Sequence, residues 1–309
     1  LIDDPSDTVA ACAHCLPVLR HFFAALTDTG NPELAKAQGV IDVFARGVDL
    51  TASDPGPLGT PDLIVWPETS LPQILGQSEV GRARIAAAAG DAQVLVGGQR
   101  YAGIEPRNVL AQLTPDGEIA AVYDKHHLVP FGEYLPLRGL AERLGLRGMA
   151  QQLSGGYRPG AGPAVLDLGP LGQAFPMICY EGLFPEIVRK ALPQRDAAEW
   201  IVVISNDAWF GGGLGPAQHY AQNRYRSIES GLPMARVATR GVTAMVDGYG
   251  REFGSGNPYP GDPAGWRSAV LRSPLPARLS NTPYQRFGET FYWLTLVLFT
   301  GLAFVTWRR

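Results

Sequence analysis

Short runs rich in β-branched and aliphatic residues recur along the chain, each stopped by proline, glycine or a polar group. "DLIVW" (Asp62 to Trp66) ends at Pro67, and "VLVGG" (Val94 to Gly98) follows an alanine-rich stretch of helical character. "QAFPMICY" (Gln173 to Tyr180) and "WIVVISN" (Trp200 to Asn206) are further apolar runs. Runs this short, bounded by turn residues, predict buried strands. Between them the period changes. Leu34, Val40, Val43, Phe44 and Val48, within residues 33–50, recur near helical spacing, and "AQHYAQNRYRSIES" (Ala217 to Ser230) predicts a helix leading into "MARVATR". "VTAMVDGYGREF" predicts a hairpin turning at Asp247-Gly248. Continuously apolar strands alternating with helices predict an α/β layered domain with a covered sheet.

Two stretches break the rhythm. Residues 128–163, opening "LVPFGEYLPL", and "AWFGGGLGP" (Ala208 to Pro216) are rich in glycine and proline yet carry Phe, Leu, Met, Trp and Tyr. Loops of that length inside a compact domain are usually lids or binding arms, and apolar side chains on them suit a lipid surface better than water. At the far end, "TFYWLTLVLFTGLAFVTW" (Thr290 to Trp307) is free of charge, with aromatic residues near both ends. Its length is near the minimum for a bilayer span, so a transmembrane helix is expected over 290–307. Arg308 and Arg309 after it favour a cytoplasmic end, which puts the preceding domain outside the cytoplasm.

Composition narrows the field. The net charge is −3 without a basic run, so the electrostatic footprint of a nucleic-acid binder is missing. Three cysteines are too few for a disulfide framework. Cys12 and Cys15 have CxxC spacing around His14, but lack the partner pair or leading strand that a zinc or redox site needs. No metal and no cofactor is expected.

Polar or reactive groups follow one strand after another: Glu68 after "DLIVW", Lys125 after "AAVYD", Cys179-Tyr180-Glu181 after "FPMI", and Asn206-Asp207 after "VVIS". Ligands of open α/β sheets sit outside the carboxyl ends of strands, so these groups are expected to converge. Any one alone has an ordinary structural reading: a helix-start acid, a surface lysine, a small core thiol. Together they support nucleophilic acyl transfer. Glu68 takes the thiol proton, Lys125 makes the sulfur acidic and then stabilises the oxyanion, and Cys179 forms a thioester.

The strings "LIVWPETSLP", "YDKHHLVPFGEYLPL", "ICYEGLFPEIVR" and "SNDAWFGGGLGPAQHYAQNRYRSIESGLP" resemble the nitrilase (carbon–nitrogen hydrolase) superfamily, and within it the apolipoprotein N-acyltransferases. The resemblance covers roughly residues 62–250, and "NTPYQRFGETFYW" carries it into the last helix. It implies a nitrilase-like αββα sandwich followed by one C-terminal transmembrane helix. Glu68 is implied as general base, Lys125 as oxyanion stabiliser and Cys179 as nucleophile, with Glu133, Tyr180 and Glu181 in support. His126, Asn206, Trp209 and Phe210 are possible pocket residues. A core position for the two aromatics is an equal alternative, and Arg224, Arg226 and Glu229 read as a structural helix face with ion pairs.

The implied reaction moves an acyl chain from a phospholipid, of the phosphatidylethanolamine type, to the N-terminal amine of a diacylglyceryl-cysteine lipoprotein. The implied place is the bacterial inner membrane, with the catalytic domain facing the periplasm. The expected organisation is an unassigned segment 1–32, a catalytic domain 33–272, a linker 273–289 and the membrane helix 290–307. Several membrane helices that precede the catalytic domain in such enzymes have no counterpart here, so a fragment of a larger product or a degenerate copy is expected. Two alternatives stay open: an amidase acting on a small amide with the same three residues, and a non-catalytic membrane-tethered binding module.

Overall fold

The computed structural model describes residues 32–54, 56–136, 156–190, 198–211, 213–255, 270–280 and 282–307. Cys12, His14 and Cys15, much of the long arm after Pro136 and the terminal Arg308-Arg309 pair lie outside them.

Helix α1 (Pro32–Thr51) precedes strand β1 (Leu63–Val65), helix α2 (Glu79–Ala89) and the strands β2 (Gln93–Ala102), β3 (Glu105–Leu113) and β4 (Ile119–Asp124). These four strands form one sheet in the order β1-β2-β3-β4, with β1 parallel to β2 and the rest antiparallel. The second sheet contains β5 (Leu166–Asp167), β6 (Gln173–Ile178), β7 (Trp200–Asn206), β8 (Met234–Thr239), β9 (Ala244–Val246) and β10 (Glu252–Ser255). Its order is β10-β9-β8-β7-β6-β5, with a parallel β6-β7-β8 centre flanked by antiparallel strands. Helices α3 (Pro185–Lys190) and α4 (Gly215–Ser230) belong to this half.

Three apolar clusters make four layers of these elements. Phe44, Trp66, Ile85, Val94 and Val109 join α1 and α2 to the first sheet. Leu95, Leu110, Ala174, Ile178, Val202 and Ile204 lie between the sheets. Phe175, Ile187, Val188, Val203 and Tyr220 join the second sheet to α3 and α4. This is the αββα sandwich that the resemblance implies. The covered strands are apolar on both faces because each sheet has a helical layer outside and a sheet inside.

Three features differ from the sequence reading. The run 173–180 is not one strand: β6 ends at Ile178, and Cys179 opens a 3₁₀ turn, Cys179–Leu183. Strand β3 escapes a periodicity reading because Pro106, Arg107 and Asn108 interrupt its apolar character. The third concerns the membrane. A helix, here α6 (Thr290–Trp307), does form over the charge-free segment, yet among the described residues no helix is long and apolar enough to cross a membrane. Eighteen residues rising 1.5 Å each reach about 27 Å, short of a hydrocarbon core of about 30 Å. Its described side chains are nevertheless exposed, Phe291, Leu294, Val297 and Phe299 among them.

Before α6 the chain is fastened to α4. Leu279 N–H donates to the Gly231 carbonyl at 2.8 Å, and in the short helix α5 (Pro283–Phe287) the capping Thr282 hydroxyl donates to the Glu229 carbonyl at 2.5 Å.

Candidate active site

Strand ends on both sheets bring the predicted residues together. Glu68 lies just beyond β1, where the chain turns sharply: Thr69 has φ 55° and Ser70 N–H bonds the Gly97 carbonyl at 2.9 Å. Gly97 permits this approach, since a Cβ there would lie 2.3 Å from the Pro67 carbonyl oxygen. Lys125 follows β4, its own N–H held by the Asn108 carbonyl at 2.9 Å. Cys179 adopts a left-handed backbone, φ 52°, that only glycine tolerates readily. Such a conformation costs about 1–3 kcal/mol and persists only where the surroundings impose it.

The polar network is buried. Lys125 Nζ lies 2.8 Å from Glu133 Oε1 and 3.7 Å from Glu68 Oε1. Asn108 Nδ2 donates to Glu68 Oε1 at 2.7 Å, and the Asn206 backbone N–H donates to Glu68 Oε2 at 2.7 Å. The tight turn "VPFGEY" directs Glu133 inward: Val129 N–H donates to Glu133 Oε2 at 2.8 Å, while Phe131, with φ 61°, is turned to solvent.

Glu181 is fully buried and joins the two sheets. Its carboxylate accepts from Ile178 N–H at 2.7 Å, His126 N–H at 2.8 Å, His127 N–H at 3.1 Å and the Tyr123 hydroxyl at 3.0 Å. The segment after Lys125 is thereby locked to the turn that carries Cys179. Tyr180 packs its ring against Phe184 and His127, with centroids 4.8 and 5.7 Å apart.

Burial sets the protonation states. Desolvation raises the Glu68 pKa despite Lys125 and the Asn108 hydrogen bond. Desolvation lowers that of Lys125, but the charges of Glu68, Cys179 and Glu133 outweigh it, so the ammonium is firmly protonated. For Cys179, desolvation first and Glu68 second push the pKa up to about 12, against Lys125 and a hydrogen bond with Ser205. The sulfur is therefore not acidified, contrary to the expectation from the lysine. It rests as a thiol beside a carboxylate with a raised proton affinity.

The pocket candidates divide. Asn206 contributes through its main chain, while its side chain accepts from Ala208 N–H at 3.2 Å. His126 Nδ1 lies 2.7 Å from Glu181 Oε1, which makes it part of the junction between the sheets. Trp209 is 84% exposed, which removes the core reading, and Phe210 is half exposed with its ring 5.3 Å from His219. Arg226 pairs with Glu229 at 2.8 Å, as the helix face predicts, whereas Arg224 bonds the Gly250 carbonyl. Residues the sequence reading missed are Asn108, Ser205 and His219; a polar residue inside an apolar strand was the available signal for the first two. Among the described residues no cluster of His, Cys, Asp or Glu is arranged to hold a metal ion. A groove of about 1860 Å³ runs beside β1 and reaches Glu68 and Asn206, but neither Lys125 nor Cys179 lines it.

The carbon-nitrogen hydrolase family model matches residues 59–257, which include every strand bearing these groups. The chain belongs to that family. Curated relatives are apolipoprotein N-acyltransferases from Allorhizobium ampelinum, 40% identical over 69% of this chain and 41% of the relative, and Sinorhizobium fredii, 37% identical over 86% and 50%. A third, from Rhizobium rhizogenes, is 33% identical over 96% of this chain and 55% of the relative. The chain thus spans about half the length of the curated relatives it matches. Solved carbon–nitrogen hydrolases share the fold. NitN amidase from Neterenkonia sp. AN1 has a TM-score of 0.52 at 18% identity, covering 83% of this chain and 94% of its own. The carbon-nitrogen hydrolase of Helicobacter pylori G27 has a TM-score of 0.51 at 18% identity, covering 70% and 80%.

Proposed function

We propose that this chain carries the catalytic unit of an apolipoprotein N-acyltransferase. The observation behind it is a buried Glu68–Lys125 pair that acts electrostatically on the buried Cys179 thiol, in a chain whose curated relatives carry that name.

In the first half-reaction the Cys179 sulfur attacks the ester carbonyl of a phospholipid of the phosphatidylethanolamine type, and Glu68 takes the thiol proton in the same step. A thiol with a pKa near 12 requires this coupling, because almost no free thiolate stands ready at neutral pH. The oxyanion that develops meets the Lys125 ammonium, which Glu133 holds from the other side at 2.8 Å. Collapse of the tetrahedral intermediate breaks the ester C–O bond, and the lysophospholipid leaves with the proton from Glu68. In the second half-reaction the amine of a diacylglyceryl-cysteine attacks the thioester, Glu68 takes the amine's excess proton, and the released Cys179 sulfur recovers it. Tyr180 and Glu181 keep the turn in register with the lysine.

The exposed side chains of Phe131, Trp209, Phe210 and helix α6 bed in lipid, and the site works at a membrane surface, in bacteria the periplasmic face of the inner membrane. Water is kept from the thioester by that contact.

Intact-protein mass spectrometry after incubation with phosphatidylethanolamine vesicles tests the reading. One acyl adduct on the parent and none on Cys179→Ala is expected. No adduct on the parent, or one that survives the substitution, rejects it. The amidase reading has the shared fold in its favour, and release of ammonia from small amides without lipid is the outcome that selects it.

A further inference from the structure

Against the Cys179 carbonyl lies a second charged cluster that the acyl-transfer steps do not use. Asp207, His219 and Arg236 are all buried. Arg236 Nη2 donates to Asp207 Oδ2 at 2.8 Å, and Arg236 Nε donates to Asn223 Oδ1 at 2.8 Å. His219 Nδ1 lies 2.9 Å from Asp207 Oδ1 and 3.2 Å from Arg236 Nη2. Burial works against an ionised Asp207, yet the His219 hydrogen bond, the Arg236 charge and the Ser205 hydroxyl more than offset it, so its pKa is held below the ordinary value.

One arm of this cluster ends on the Cys179 main chain, and a second, through Ser205, comes near it. His219 Nε2 lies 3.2 Å from the Cys179 carbonyl oxygen. A carbonyl only accepts, so Nε2 carries the hydrogen of that bond whatever Nδ1 carries. The Ser205 hydroxyl donates to Asp207 Oδ1 at 2.6 Å and is close enough to Cys179 to draw down its proton affinity. The residue with the strained backbone is thus held at its carbonyl, and that hold runs back through His219 to the Asp207 carboxylate. The turn is pressed onto the same helix: a Cβ at Gly182 would lie 2.5 Å from Asn223 Nδ2, one helical turn from His219. A left-handed non-glycine residue needs surroundings that over-determine it, and here those are visible.

We propose that His219, backed by Asp207, is a positioning residue for the nucleophile: it fixes the left-handed turn so that the Cys179 sulfur faces Glu68 and Lys125. The inference rests on Cys179 being the nucleophile, but not on the identity of the acyl donor.

The test uses the full chain and the rate at which iodoacetamide alkylates Cys179, followed by peptide mass spectrometry so that Cys12 and Cys15 are counted separately. Glutamine places an amide N–H near the position of Nε2, whereas asparagine reaches only as far as Nδ1. His219→Gln is expected to stay within about threefold of the parent. His219→Asn and His219→Ala are expected to fall tenfold or more, and to lower kcat rather than raise KM in acyl transfer. Thermal melting identifies variants that remain folded. If His219→Ala does not fold, the glutamine and asparagine variants decide. Equal alkylation rates in folded glutamine and asparagine variants overturn the inference. If the buried parent thiol resists iodoacetamide, the rate of acyl-adduct formation decides in its place; a parent that takes neither overturns the nucleophile reading and this inference with it.

Discussion

The first sheet supplies the pocket with charge, whereas the second supplies it with a constrained backbone. Glu68 and Lys125, on the loops after β1 and β4, form with Glu133 a network of two carboxylates sharing one ammonium. Cys179, after β6, is held by a turn with φ 52° and by the cluster at Asp207. The difference separates two requirements of covalent catalysis. Proton affinities can be adjusted by burial and neighbours on one side, while the attacking atom is aimed on the other. Glu181 joins the two by accepting N–H groups from both sides of the junction.

The largest expected effect lies on the charged side. Glu68→Gln removes the proton acceptor and should lower kcat by about 10²–10⁴-fold, measured as thioester formation, with little change in melting temperature. Lys125→Met should cost about 10²–10³-fold in the same assay, in keeping with loss of an oxyanion donor. A substitution here that leaves the rate unchanged would break the division of labour.

On the second sheet the first loss is stability. Asp207→Asn leaves buried Arg236 without its charged partner, and urea unfolding should show about 3–5 kcal/mol of destabilisation. Preserved stability would mean that Asp207 does not support the turn.

Two pH responses sharpen the contrast. Burial raises the Glu68 pKa, so the acid limb of kcat/KM should lie above the ordinary carboxylate range and vanish from the residual rate of Glu68→Gln. The smallest effect is expected far from the pocket. At Glu229, burial outweighs the Arg226 charge and pushes the pKa up to about 7 from 4.5. The folded state then holds this proton more tightly than the unfolded one. Its contribution to stability is full below pH 4.5 and lost as pH rises towards 7. Glu229→Gln should flatten that part of a stability–pH curve.

Much of the arrangement was legible in the sequence because each of these polar residues lies within two positions of an apolar run, and strand ends converge in a layered α/β fold. Glu68 and Lys125 declare themselves in this way. What stayed hidden is of two kinds. Strand β3 is masked because Pro106, Arg107 and Asn108 break the hydrophobic pattern, although Asn108 is polar for the sake of Glu68. The His219 contact is hidden because it joins residues 40 positions apart, through a carbonyl that no side-chain pattern encodes. The protonation state of Cys179 was misread for a third reason. Adjacency to a lysine is visible in a motif, but the depth of burial that outweighs it is not.

The fastening of Leu279 and Thr282 to the end of α4 has a consequence for where α6 starts. The segment leading to α6 is clamped to the same rod that carries His219, so the sulfur and the apolar mast belong to one frame. On the proposal that α6 beds in lipid, this clamp sets how far the sulfur stands from that surface, like the reach of a crane whose jib is welded to its base. Loosening that weld, by Thr282→Ala for example, should slow acyl-adduct formation from vesicles while leaving alkylation of Cys179 by iodoacetamide unchanged.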